Sequence, residues 1–322
     1  MNRATLVLLA SLFAARGHTA DITLTATTGT GIVYGVAREL VYGLYKNQQY
    51  TVSELDWGLQ SLYTANAALS MQVAGGIAAS LSVQLGIPGK TGSITDSDWL
   101  NVAYDGTTNK TNYSRHDCYT ERAILLDAQA GWEIPLAGWV TLEPFLAFEL
   151  MDFKWTARDG FLQYPPGYLA GSGTKPYPDA STDVVVPVSG TVILYRQTYY
   201  IPAVGLSAKI HSVSTSGAIS FAFSPLVFCN DVDNHELAGN DYYDTMSNGI
   251  LLEPKISLKW ALGRSWLSLD VSYRHIEGLI GNTTRIVTGV GHVPGQVAQS
   301  YSKGAGASYD AVNVSLGFNW TP

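Results

Sequence analysis

The sequence predicts an all-β protein, a ten-stranded antiparallel transmembrane β-barrel with long extracellular loops and short periplasmic turns. Three observations predict it. Apolar and polar residues alternate with a period of two from one end of the chain to the other, the signature of strands with one greasy and one wet face. Only 14% of the 322 residues are charged, against roughly 25% in soluble domains. Long and short connections alternate in chain order, as they must when a meander gathers its long loops on one rim.

The strand runs appear in order. The first begins at Ile22, with Leu24 and Ala26 set against Thr23, Thr25 and Thr27. Others begin at Leu81, where Val83 and Leu85 oppose Ser82 and Gln84, and at Ile219, where Phe221 and Phe223 oppose Ser220 and Ala222. Ile256, Leu258, Trp260 and Leu262 alternate with Lys255, Ser257 and Lys259; Gly263-Arg264-Ser265 then turns the chain into Leu267, Leu269, Val271 and Tyr273, a tight hairpin. The last run is the clearest, Val312, Val314, Leu316, Phe318 and Trp320 against Asn313, Ser315, Gly317 and Asn319. Short connections are expected near 135–138, 212–217 and 263–265, and long polar ones over 92–116, 159–190, 230–249 and 282–303. One strand with its connection averages about 30 residues, too long a period for a soluble β-sandwich with turn signals every 8–12.

Composition excludes other classes. A balance of 19 bases against 26 acids leaves −7, so no basic patch is available for nucleic acid. Met1-Asn2-Arg3 followed by the apolar run Leu6–Ala15 and small residues reads as a signal peptide over 1–20, cut after residue 17 or 20, with the barrel over 21–322. No later stretch is long and apolar enough for a membrane helix. Cys118 and Cys229, in an exported chain, could form one bridge.

Two acidic constellations carry the chemistry, both expected in long loops or at their bases on one rim. In Thr95-Asp96-Ser97-Asp98-Trp99, residues i and i+2 of an extended chain point the same way, so Asp96 and Asp98 form a carboxylate pair. In Asn230-Asp231-Val232-Asp233-Asn234-His235 the same spacing groups Asp231, Asp233 and His235. Alone, each D-x-D pair also suits a solvated loop or a calcium site. A carboxylate beside an imidazole fixes its tautomer and raises its basicity, and an opposing carboxylate pair can share a proton and hold a water. No G-x-S-x-G elbow, HExxH helix or P-loop occurs.

At these residues the sequence resembles the omptin family of ten-stranded bacterial outer-membrane proteases. The resemblance runs from Glu39 to Trp320, through Arg38-Glu39-Leu40-Val41-Tyr42, Val52-Ser53-Glu54-Leu55-Asp56-Trp57, the two constellations, Ser114-Arg115-His116, Trp155-Thr156-Ala157-Arg158 and Tyr301-Ser302-Lys303-Gly304-Ala305-Gly306. It implies a bacterial outer-membrane endopeptidase, an aspartate endopeptidase of omptin type, with its active site facing the cell exterior. Asp96 and Asp98 are then the pair that holds the attacking water, His235 the general base and Asp233 its orienting partner. Glu39 and Asp231 would receive the basic side chain on the amino side of the cut bond. The implied substrates are polypeptides with Arg or Lys, the implied surroundings outer-membrane lipid, the implied state a monomer, and no metal or cofactor is required.

Two departures from the family pattern stand out. Asn112 replaces an acid that favours a basic residue after the cut, so a single basic residue is expected to suffice. Asp152 and Thr198 stand where the lipopolysaccharide-binding arginines of the family are expected. The competing expectation is a catalytically silent barrel acting as adhesin, receptor or small porin.

Overall fold

The computed structural model describes residues 22–100, 110–165, 184–236, 239–287 and 298–320; the expected signal segment lies outside them. The strands are β1 (Ile22–Tyr45), β2 (Gln48–Val73), β3 (Ile77–Gly86), β4 (Gly89–Asp98), β5 (Asn112–Trp132), β6 (Ile134–Ala137), β7 (Val140–Tyr164), β8 (Val184–Pro187), β9 (Thr191–His211), β10 (Thr215–His235), β11 (Asn240–Leu262), β12 (Ser265–Val287) and β13 (Ala298–Trp320). All pairings are antiparallel. β3 and β4 are two halves of one span, because both pair with β2 on one side and β5 on the other. Ten spans result, and β13 pairs with β1, so the sheet closes on itself and leaves no long edge unpaired.

Alternation decides which face turns outward. On β13, Leu316, Phe318 and Trp320 are exposed, as a lipid-facing band requires, while Asn319 points inward and is hydrogen-bonded there: Thr27 Oγ1 donates to its Oδ1 at 2.7 Å and its Nδ2 donates to Ser268 Oγ at 3.0 Å. The predicted hairpin at 263–265 forms, with Leu262 opposite Ser265 and Gly263 in the left-handed region at φ 66°.

The interior has two layers. Towards the rim of short turns lies a polar cavity of about 460 Å³, lined by residues such as Ser80, Ser82, Gln84, Ser220 and Asn313. In its wall, Arg274 bridges Glu149 at 2.5 Å and Glu253 at 2.7 Å. Towards the other rim, aromatic side chains fill the barrel: Trp57 stacks on Tyr195 (centroids 4.9 Å) and Trp155 (5.8 Å), Trp155 on Phe153 (5.0 Å), and Phe153 on Tyr309 (5.7 Å). All five are fully buried.

One expectation needs correction, and the open question of the cysteines has an answer. The long connections expected at 92–116 and 230–249 begin and end in strand: β4 runs on to Asp98, β5 starts at Asn112, and β10 and β11 remain paired as far as His235 and Asn240. Both acidic constellations therefore sit on paired strands that continue past the lipid band, where the outward face also turns polar. Cys118 and Cys229 are buried free thiols. They belong to β5 and β10, three strand positions apart in the ring, about 14 Å at 4.8 Å per strand and beyond disulfide reach.

Candidate active site

The β10 register points Asp231, Asp233 and His235 inward, with Asp233 opposite Tyr195 of β9 and Tyr242 of β11. Asp233 Oδ2 meets His235 Nε2 at 2.5 Å, and the Tyr242 ring packs edge-on against the imidazole at 5.5 Å. Asp233 is almost fully buried, whereas about a quarter of the His235 side chain remains exposed (1% and 27%). This is an oriented base with one ring nitrogen engaged and the other open.

On the facing wall, β4 pairs with β2 so that Asp96 lies opposite Leu55 and Asp98 opposite Ser53. Ser53 Oγ donates to Asp96 Oδ1 at 3.1 Å. The two walls interact through space. Burial disfavours the imidazolium of His235, but Asp233, Asp96 and Asp98 outweigh that and raise its pKa to about 9. Burial and the neighbouring Asp96 charge push Asp98 well above the usual carboxylate range, while Asp96 is raised less because His235 and Ser53 favour its charged form. One proton shared by the pair is the arrangement that burial and mutual repulsion favour.

Glu39 projects from β1 and is buried, with Oε2 lacking any hydrogen-bond partner. Burial raises its pKa first, followed by the charges of Asp233, Asp231, Asp244 and Asp96, so all six sequence-predicted residues belong to one cleft. Asp231 is buried as well; Tyr195 Oη donates to its Oδ2 at 3.0 Å, and its Oδ1 has no donor.

Three participants were not among the site residues expected from the sequence. Asp244 of β11 lies directly across from Asp231, and burial together with Asp233 raises its pKa to about 6. Tyr195 and Ser53 likewise reach the site through strand register. Asn112 lies opposite Asp98, buried, with neither amide atom partnered. His116 is buried behind the pair; its Nδ1 contacts the Asp159 carbonyl at 2.5 Å and its Nε2 the Ser114 hydroxyl at 3.0 Å. On the outer wall, Asp152 is held by Arg122 at 2.6 Å, Arg196 at 2.8 Å and the Thr198 hydroxyl at 2.9 Å.

A family model described as the Omptin family matches residues 20–321. The chain is 21% identical to a plasminogen activator of Yersinia pestis over 239 residues, 70% of this chain and 69% of that protein. It is 23% identical to Protease 7 of Escherichia coli O157:H7 over 212 residues, 66% of this chain and 63% of that protein. Among solved structures, the outer membrane protease OmpT of Escherichia coli superposes with a TM-score of 0.81 at 18% identity, covering 95% of this chain and 99% of the other.

Proposed function

The chain belongs to the omptin family, and from that premise we propose that it is an outer-membrane endopeptidase that cuts polypeptides next to Arg or Lys, with its cleft open to the cell exterior. The observation that carries this reading is the 2.5 Å contact between Asp233 and His235, coupled electrostatically to the Asp96 and Asp98 pair.

The chemistry follows from which atoms are free. With Nε2–H donating to Asp233, Nδ1 accepts a proton from a water held between it and Asp96 as that water attacks the peptide carbonyl. Protonated Asp98 donates to the oxygen that becomes negative in the tetrahedral intermediate. The imidazolium then returns its proton to the leaving amine. No step uses a metal or cofactor. Glu39 Oε2 and Asp231 Oδ1, buried acceptors without a donor, suit a guanidinium or ammonium on the amino side of the bond. Asn112 is uncharged, so a second basic residue after the bond gains no ion pair there.

A silent barrel or small porin fits less well. The stacked layer of Trp57, Trp155, Tyr195, Phe153 and Tyr309 occupies the interior between cleft and cavity, leaving no reason for an open channel. The test is refolded protein in detergent with a fluorogenic Arg-containing peptide. Cleavage is expected, with loss in His235→Ala and in Asp96→Ala; full activity in either variant overturns the mechanism.

A further inference from the structure

Asp244 has no role in the mechanism above, yet it is a buried acid set against another buried acid. Across the β10–β11 ladder it is the register partner of Asp231. The two carboxyl groups lie within hydrogen-bonding reach of each other. Both Oδ1 atoms are buried acceptors without a donor, as is Glu39 Oε2. Two carboxyl groups hydrogen-bond only when one of them carries a proton.

The surroundings offer few alternatives to that proton. Tyr195 of β9 satisfies Asp231 Oδ2 alone, and Thr283 of β12 donates to Asp244. The remaining titratable groups facing the pair are Glu39 of β1, Asp233 and Cys229 of β10 and Tyr199 of β9; of these the acids repel further negative charge, and none supplies a cation. Burial and mutual repulsion hold Asp231 well above the usual carboxylate range.

We propose that Asp244 is a third carboxylate of the substrate-cation pocket, sharing one proton with Asp231 while the cleft is empty and giving that proton up when a guanidinium enters. The entering side chain brings N–H donors to the Oδ1 atoms of Asp231 and Asp244, and the displaced proton passes to solvent. A guanidinium has five donors in a planar fork and can serve three carboxylates at once; an ammonium has three donors at one point. Asp244 thus selects Arg over Lys. The proposal rests on the cleavage reading above, because it assumes that the cleft takes a basic side chain.

The experiment measures binding by calorimetry in two buffers of different protonation enthalpy at pH 6.5, on the His235→Ala protein, with an Arg-containing peptide and its Lys counterpart. Expected are tighter binding of the Arg peptide and proton release on its binding. Adding Asp244→Asn should weaken the Arg peptide by about tenfold to a hundredfold, the loss of a charge-assisted hydrogen bond, lessen the proton release and leave the Lys peptide little changed. Retained Lys binding shows that the variant is folded; should Asp244→Asn not refold, Asp244→Ser carries the same expectation. Equal losses for both peptides, unchanged Arg binding, or binding without proton release overturn the role of Asp244 and leave the cleavage reading standing. Failure of His235→Ala to bind either peptide overturns both.

Discussion

Asp233 Oδ2 engages Nε2 of His235 at 2.5 Å, which leaves Nδ1 as the ring nitrogen available to take a proton. The same contact that orients the ring also makes it reluctant to stay neutral. With a pKa raised to about 9 by Asp233, Asp96 and Asp98 against the opposing effect of burial, most molecules at neutral pH hold an imidazolium, and only the deprotonated fraction can act as base.

The kcat/KM of a peptide substrate should therefore rise with pH through a midpoint above 6.5, towards 9, and fall away on acidification. Asp233→Asn should lower that midpoint, because the strongest charge favouring the imidazolium is gone, while cutting kcat by about 10²- to 10⁴-fold through loss of orientation. A pH–rate profile of both proteins decides; an unshifted midpoint contradicts the assignment.

Asp98 has the opposite consequence for stability. Its folded pKa lies well above its unfolded value because of burial and Asp96, so the folded state binds more protons and stability declines as pH rises from about 4 through the folded pKa. Asp98→Asn should stabilise the folded state at neutral pH, by about 1.4 kcal/mol for each unit by which the folded pKa is raised, and so raise the melting temperature, while activity is lost. Heat-dependent gel mobility in detergent measures it.

Gly160 has φ 98°, and a Cβ there would fall 2.0 Å from the Arg115 carbonyl oxygen. The neighbouring Asp159 carbonyl fixes His116. Gly160→Ala should destabilise the barrel by about 1–3 kcal/mol and reduce activity, since the strand behind the Asp96 pair must shift.

Trp57→Ala should destabilise by about 3–5 kcal/mol, as a large buried aromatic is lost from the stacked layer. Bilayer conductance, expected to be nil in the parent protein, should appear when Trp155→Ala is added. A double variant that stays silent would show that another layer closes the lumen.

Lipopolysaccharide should not be needed. Arg122 and Arg196 are engaged by Asp152, and Lys154 and Arg158 by Glu121, so these four outer-wall cations already have protein partners. Peptide cleavage in detergent with and without the lipid, at matched salt, should give the same rate.

The strands are legible in the sequence where lipid-facing and lumen-facing residues contrast, as from Val312 to Trp320. Above the band both faces are polar, so Thr95-Asp96-Ser97-Asp98 and Asp231–His235 look like loop although their backbones stay paired. The spacing rule found acids two apart on one strand. It had no means of finding Asp244, which meets Asp231 only through the register of β10 against β11, nor Tyr195, whose partner is 36 residues away. Whether Cys118 and Cys229 could meet was open for the same reason: which strands neighbour one another is settled by closure of the whole sheet.

On β10 the last exposed aromatic is Phe228, seven residues before His235. At about 3.3 Å per residue and a tilt of about 40°, the imidazole stands roughly 18 Å above that level. The strands thus act as a standoff. A chain lying among the headgroups passes beneath the cutting height, whereas a loop or tail lifted clear of the membrane meets it, so reach from the bilayer becomes a filter on which polypeptides are cut, separate from their sequence.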